Sequence, residues 1–259
     1  MRIARFVHPG SATVASGVAW GTVEGPAGAG PEALTVAAID GHPFGALQFT
    51  GDRWALSDVR LLSPFLPSKV VGVSDNYGDD ASGSPVIFLK PSTSVIGEAD
   101  VIRLPPSSSQ VEPGGGLAVV IGSPARNVPS ETALRHVFGY AAANDVTARD
   151  QQRADGEAGR AKGYDSFCPL GPWVETVLDP IDLRVVTRVN SEIKQDGRTS
   201  GLTRDVAHLI AFVSTIMTLL PGDVILTGTP AGTGPLAAGD SVSVEIEGIG
   251  TLTNTVVQA

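Results

Sequence analysis

The chain has one cysteine, Cys168, in 259 residues, so it forms no internal disulfide and offers zinc no CxxC pair, as expected in a reducing compartment. Positive charge is also scarce: 18 Lys and Arg stand against 27 Asp and Glu, a formal charge of −9. Such a field repels phosphate backbones and anionic lipid, which speaks against nucleic acid and membranes as partners. No apolar run approaches a membrane span, and the start Met1-Arg2-Ile3-Ala4-Arg5 has no apolar signal core, so a cytoplasmic protein is expected. The GxSxG elbow, the HExxH pair and the GxxxxGK[ST] phosphate loop are missing, and there is no internal repeat.

With 42% hydrophobic and 17% charged residues the chain is too apolar for disorder, while 31 Gly and 19 Pro imply many turns and much β structure in place of a long-helix bundle. Residues 1–66 read as a small β-rich lobe, broken at Gly25–Pro31 and Gly41–Gly45. Residues 67–259 read as a larger domain beginning at Lys69-Val70-Val71-Gly72-Val73. Further strands are expected at 86–89, 117–121, 183–189, 223–226 and 241–246. One helix is expected to open at Thr203 or Arg204, with Val206, Leu209, Ile210, Val213, Ile216, Met217 and Leu220 as its core stripe, and to stop at Pro221-Gly222-Asp223. A second starts at Ser130, an N-cap candidate followed by Glu131.

The glycine-rich stretches at 113–116 and 227–234 lack the strand, loop and helix order of a dinucleotide site and read as turns. His8, His42, His136 and His208 have no Asp or Cys at a recognisable spacing and read as structural. Cys168, between Phe167 and Pro169, reads as a small buried hydrophobe more than as a nucleophile. The densest polar run is Asn144-Asp145-Val146-Thr147-Ala148-Arg149-Asp150-Gln151-Gln152. There a short helical turn would put Asp145 and Arg149 on one face, as a surface ion pair or as part of a site. Lys162 is one of only four lysines and lies between Ala161 and Gly163. It is either a solvated surface lysine or the anchor of an oxo acid or enolate.

Taken in order, Ile87-Phe88-Leu89-Lys90-Pro91, Leu117–Gly122, Asn144–Asp150, Ala161-Lys162-Gly163, Pro169–Trp173, Leu220–Gly232 and Glu247–Leu252 resemble the fumarylacetoacetate hydrolase superfamily over residues 68 to 259. The N-terminal lobe resembles that of bacterial 2-hydroxyhepta-2,4-diene-1,7-dioate isomerases. The resemblance implies an α+β fold, a rolled mixed β-sheet with few flanking helices, usually as a homodimer. It also implies a magnesium or similar ion on two Glu and one Asp. Only Asp145 matches that set: Gly114 and Gly116 stand where the two Glu should be, with Glu112 two positions early. Asp80 replaces the family's base histidine near Tyr77, and Gly83 its glutamate. Lys162, Arg149, Gln152, Thr229 and Glu245 match family pocket positions, and Lys90 and Tyr77 are expected beside them.

Three readings follow. The first is an enzyme without a metal or other cofactor, its pocket enlarged by Gly114, Gly116 and Ala158, acting as an isomerase, cyclase or decarboxylase on a bulkier carbonyl-containing small molecule, with Lys162, Asp145 or Asp80 in the chemistry. The second is the ordinary magnesium-dependent hydrolase, isomerase or decarboxylase of an oxo-dicarboxylate. The third is a silent relative that binds a small acid or a partner protein.

Overall fold

The run Leu117-Ala118-Val119-Val120-Ile121 has no polar residue because it is buried on both faces. In the computed structural model, which describes residues 1–10, 16–26, 28–78 and 83–259, it belongs to the strand Gly115–Ile121. Alternate side chains leave a strand on opposite sides. Leu117, Val119 and Ile121 therefore enter one core with Val185, Val244 and Leu252, and Ala118 and Val120 enter another with Phe65, Ala141, Cys168 and Leu170.

Around this strand the described residues build two large sheets, beside a two-stranded ladder of Val111–Glu112 with Thr147–Ala148. In the larger, Gly115–Ile121 lies between Val137–Asn144 and Val224–Leu226, and the sheet ends at Val86–Lys90 on that side. The smaller has five strands, including the hairpin Arg184–Val189 and Glu192–Arg198. Most pairings are antiparallel, but Val224–Leu226 runs parallel to Val70–Ser74. The sheets are mixed and the helices few, an α+β fold as expected.

The N-terminal segment continues the main sheet. Its first strand, Arg2–His8, pairs with Cys168–Glu175 through Arg2↔Glu175 and Ile3↔Val174. Ala4, Phe6, Val23 and Val36 share a core with Leu117. Phe44 stacks on Phe65 at 4.9 Å and meets the edge of Phe138 at 4.8 Å, tying this segment to the second core.

Three local expectations need correction. The long helix spans Val206–Ile216, starting later than Thr203 because the Asp205 carboxylate caps it by accepting from His208 N at 2.9 Å. It ends before Leu220 because Met217 is extended and Leu219 pairs with Ala125. Ile216 and Leu220 are exposed. The helix at Ser130 is one turn, Ser130–Ala133, with Pro129 at the cap position and no side-chain cap. Finally, Gly115 and Gly116 form no turn: they are extended and pair with Asn144 and Ala143.

Glu98 gives the fold a pH dependence. Burial pushes its pKa up to about 7, against the pull of the Thr253 N–H that Oε2 accepts at 2.8 Å. The folded state thus binds this proton more tightly than the unfolded chain, whose carboxyl titrates near the ordinary 4.5. The contribution is full below that value and is lost as pH rises through about 7. Urea midpoints of the unmodified protein should fall between about pH 5 and 8 more steeply than those of Glu98→Gln; parallel profiles would refute this.

Candidate active site

Three separate elements deliver three charges to one point. Lys90 ends the strand Val86–Lys90, Asp145 follows the strand Val137–Asn144, and Lys162 ends the single helical turn Gly159–Lys162. The Lys90 ammonium donates to Asp145 Oδ1 at 2.7 Å and to the Val146 carbonyl at 3.0 Å. The Lys162 ammonium donates to Asp145 Oδ2 and, at 2.9 Å, to Thr147 Oγ1. Lys90 is 1% and Lys162 4% exposed, so this is a buried triad carrying one net positive charge.

The surroundings explain how two lysines are held there. Lys162 Nζ stands 4.4 Å from the Phe88 ring centroid, on the attractive face of the ring. The far end of the Phe88 ring stands against its cross-strand partner Gly72, where an added Cβ would come within 2.0 Å of it; glycine at 72 makes room for the ring under the ammonium. Burial raises the Asp145 pKa, but the charges and hydrogen bonds of Lys162 and Lys90 outweigh it and bring it down to about 2. Burial lowers the Lys162 pKa, against the pull of Asp145.

Asp145 lines a small cavity with Val73, Gly114, Gly116, Ala143, Leu226 and Gly228. Its volume is about 10 Å³, room for one water at most. The expectation of an enlarged pocket is therefore corrected. The glycines at 114 and 116 leave no hole, because backbone lies close against each: the loop after Leu226 at Gly116, and Asp145 at Gly114. A Cβ on Gly116 would lie 2.2 Å from the Gly228 carbonyl oxygen, and one on Gly114 2.9 Å from that of Asp145. Thr227 Oγ1 donates to Leu117 O, Thr229 Oγ1 to Gly115 O and Thr233 Oγ1 to Pro113 O, at 3.0, 2.8 and 3.1 Å.

The other predicted residues fall in different places. Arg149 makes no pair with Asp145, because position 145 is outside the helix Arg149–Asp155. Its guanidinium instead donates to Glu112 Oε2 at 3.3 Å and to Gln152 Oε1 at 2.7 Å. Thr229 spends its hydroxyl on Gly115. Glu245 points to solvent and pairs with Arg188 at 2.7 Å, outside the cavity. Ala158 does not line the cavity and serves through its carbonyl, which accepts from Lys162 N at 3.0 Å. Tyr77 lines a separate surface groove of about 700 Å³ with Arg198, Thr203 and Pro230. Its buried hydroxyl has no hydrogen-bond partner among the described residues, and burial pushes its pKa up to about 12. Asp80 lies outside the described residues. Lys162 is no surface lysine, and Cys168 is buried with its thiol pushed up to about 12 by burial. Sequence reasoning missed Thr147, Phe88 and Gln195; only the first two lie inside motifs it had singled out.

The donors present do not fit a divalent ion. Magnesium requires several hard oxygens in octahedral array. Asp145 gives both oxygens to ammonium groups, and positions 114 and 116 bring no side chain. Glu112 accepts from Gln110 Nε2 at 2.7 Å as well as from Arg149. Among the described residues no three His, Cys, Asp or Glu side chains are grouped as metal ligands.

Comparison with known proteins adds the following. Residues 70–257 match the model of the fumarylacetoacetate (FAA) hydrolase C-terminal family, and residues 1–64 match the Rv2993c-like N-terminal family. Protein Rv2993c of Mycobacterium tuberculosis is 50% identical over 268 residues, covering 100% of this chain and 98% of that protein. The human mitochondrial oxaloacetate tautomerase FAHD2A is 42% identical over 221 residues, 78% of this chain and 70% of that protein. A crystal structure of 2-hydroxyhepta-2,4-diene-1,7-dioate isomerase from Mycobacterium marinum superposes with a TM-score of 0.94 at 51% identity, covering 100% of this chain and 98% of that one.

The close approach at Gly116 predicts that Gly116→Ala destabilises by about 1–3 kcal/mol through overpacking. Gly159→Ala, where nothing lies within 4 Å of the new Cβ, should be neutral or stabilise by up to about 1 kcal/mol. Denaturant midpoints of the two variants check this, and equal values would contradict it.

Proposed function

Because the chain belongs to the fumarylacetoacetate hydrolase family, we propose that it is an isomerase that moves a proton within a small carbonyl acid, the keto–enol interconversion of a 2-oxo acid being the simplest case. It does so without a divalent ion. The observation that carries this reading is the single cavity-facing carboxylate held between two buried ammonium groups. An enolate concentrates negative charge on oxygen, and a preorganised positive cluster away from bulk water stabilises that charge. An ammonium has three N–H donors. Lys90 and Lys162 each commit two to described protein groups, which leaves one apiece behind Asp145, the member of the triad that lines the cavity. Asp145 holds the two ammonium groups in register. The proton passes from the carbon beside the carbonyl to the carbonyl oxygen, so the reaction needs no co-reactant and releases no fragment.

The names of the relatives support an isomerase. A cavity that holds one water admits even a short acid only when the 227–233 loop moves off Asp145, and it gives no support to a bulky substrate or to a cyclisation directed by a roomy pocket. The magnesium-dependent reading is favoured by one observation, the retained Asp145. It requires both lysines to release that carboxylate and Glu112 to leave Gln110 and Arg149.

Oxaloacetate tautomerisation, followed by the absorbance of the enol, separates the readings. The expected result is a rate that is the same with a chelator and with added magnesium, and a kcat/KM lowered about 10²- to 10³-fold in Lys162→Met. Loss of activity with chelator and recovery with magnesium would establish the metal-dependent reading instead. A rise in melting temperature with oxaloacetate but no turnover would make the protein a binder.

A further inference from the structure

Gln195 is 2% exposed on the strand Glu192–Arg198 and comes from the opposite sheet to the cavity wall. Its Oε1 accepts from Gly115 N at 2.9 Å. Its Nε2 donates to Thr229 Oγ1 and to Pro230 O, both at 2.7 Å. A primary amide has two N–H donors, so both are in use. Thr229 Oγ1 donates onward to Gly115 O at 2.8 Å. Four hydrogen bonds thus close a ring between Gln195, the glycine strand and the loop. The hairpin also presses on the loop directly: an added Cβ would lie 2.7 Å from Pro230 Cβ at Gly197, and 2.2 Å from Lys194 O at Gly232.

This loop has two sides. Gly228 lines the cavity at Asp145, whereas Pro230 and Ala231 line the groove that also holds Tyr77 and Arg198. The position of residues 227–233 therefore sets the size of the first space and its separation from the second. Buried hydrogen bonds with every donor and acceptor matched fix such a position, since each broken one leaves a desolvated group behind.

We infer that Gln195 is a positioning residue that latches the 227–233 loop over Asp145 and thereby determines how long a substrate the site admits. The length preference rests on the isomerase reading; the latch itself does not.

Two variants test it, Gln195→Met from the hairpin side and Thr229→Val from the loop side, so that a folding failure in one leaves the other. Hydrogen exchange read on segments 113–117 and 227–233 should quicken by at least about tenfold in both, the effect of losing roughly one buried hydrogen bond, with Arg2–His8 unchanged. The kcat/KM ratio for 2-oxoadipate over oxaloacetate should shift toward the longer acid by about tenfold as well, which general destabilisation would not produce. Unchanged exchange at the two segments, exchange that quickens equally along the chain, or an unmoved substrate ratio would overturn the inference. If the unmodified protein turns over neither acid, the isomerase reading fails, and the melting shifts given by the same two acids then read the length preference. Absence of any shift would overturn that part too.

Discussion

The Asp145 carboxylate between Lys90 and Lys162 is the constraint from which the rest of the site follows. Each ion is buried at a cost that only its partners offset, and removing one partner of such a pair leaves an uncompensated charge worth about 3–5 kcal/mol. The three residues come from an edge strand, a post-strand turn and a one-turn helix. The same contact that prepares a positive site therefore also fixes where those elements sit. Phe88 over Gly72 and the Thr147 hydroxyl complete the arrangement by giving the second ammonium a face and a hydrogen-bond acceptor.

The glycines at 114 to 116 belong to the same design. A missing side chain on a strand ordinarily leaves a cavity or lets a neighbour collapse onto it. Here the loop after Leu226 lies so close that the backbone oxygen of Gly228 stands 2.2 Å from where a Cβ at 116 would be. Gly115 is under equal pressure from the other sheet, where Thr187 Oγ1 would lie 2.0 Å from an added Cβ. Backbone packs on backbone, and the threonines at 227, 229 and 233 satisfy the strand carbonyls that side chains would otherwise have screened. The glycines thus account for the narrow space, and Lys90 and Lys162 around Asp145 for the net positive charge.

The β-branched runs made the core strands legible, because burial on both faces writes an unbroken apolar segment. Asp145, Lys162 and Lys90 were legible as residues through their motifs. Their partners were not. The pairing of Asp145 with Arg149 failed because the short strand Thr147–Ala148 stands between them and replaces helical spacing. Glu245 failed because strand alternation turns it outward while Val244 and Ile246 point in. Gly115 and Gly116 read as a turn because glycine carries no side-chain pattern to reveal a strand; only their ladder with Ala143 and Asn144 does so. Gln195 gave no signal at all, since its role depends on a contact across 80 positions of sequence.

Two ammonium groups already neutralise Asp145, and on the proposed reading they take the place of a divalent ion. Electron paramagnetic resonance of manganese(II) titrated into chelator-stripped protein measures this most directly, because bound and free ion differ in signal. The account predicts that the free-ion signal grows from the first addition, with no stoichiometric site. One equivalent of tightly bound manganese, lost in Asp145→Asn, would contradict it.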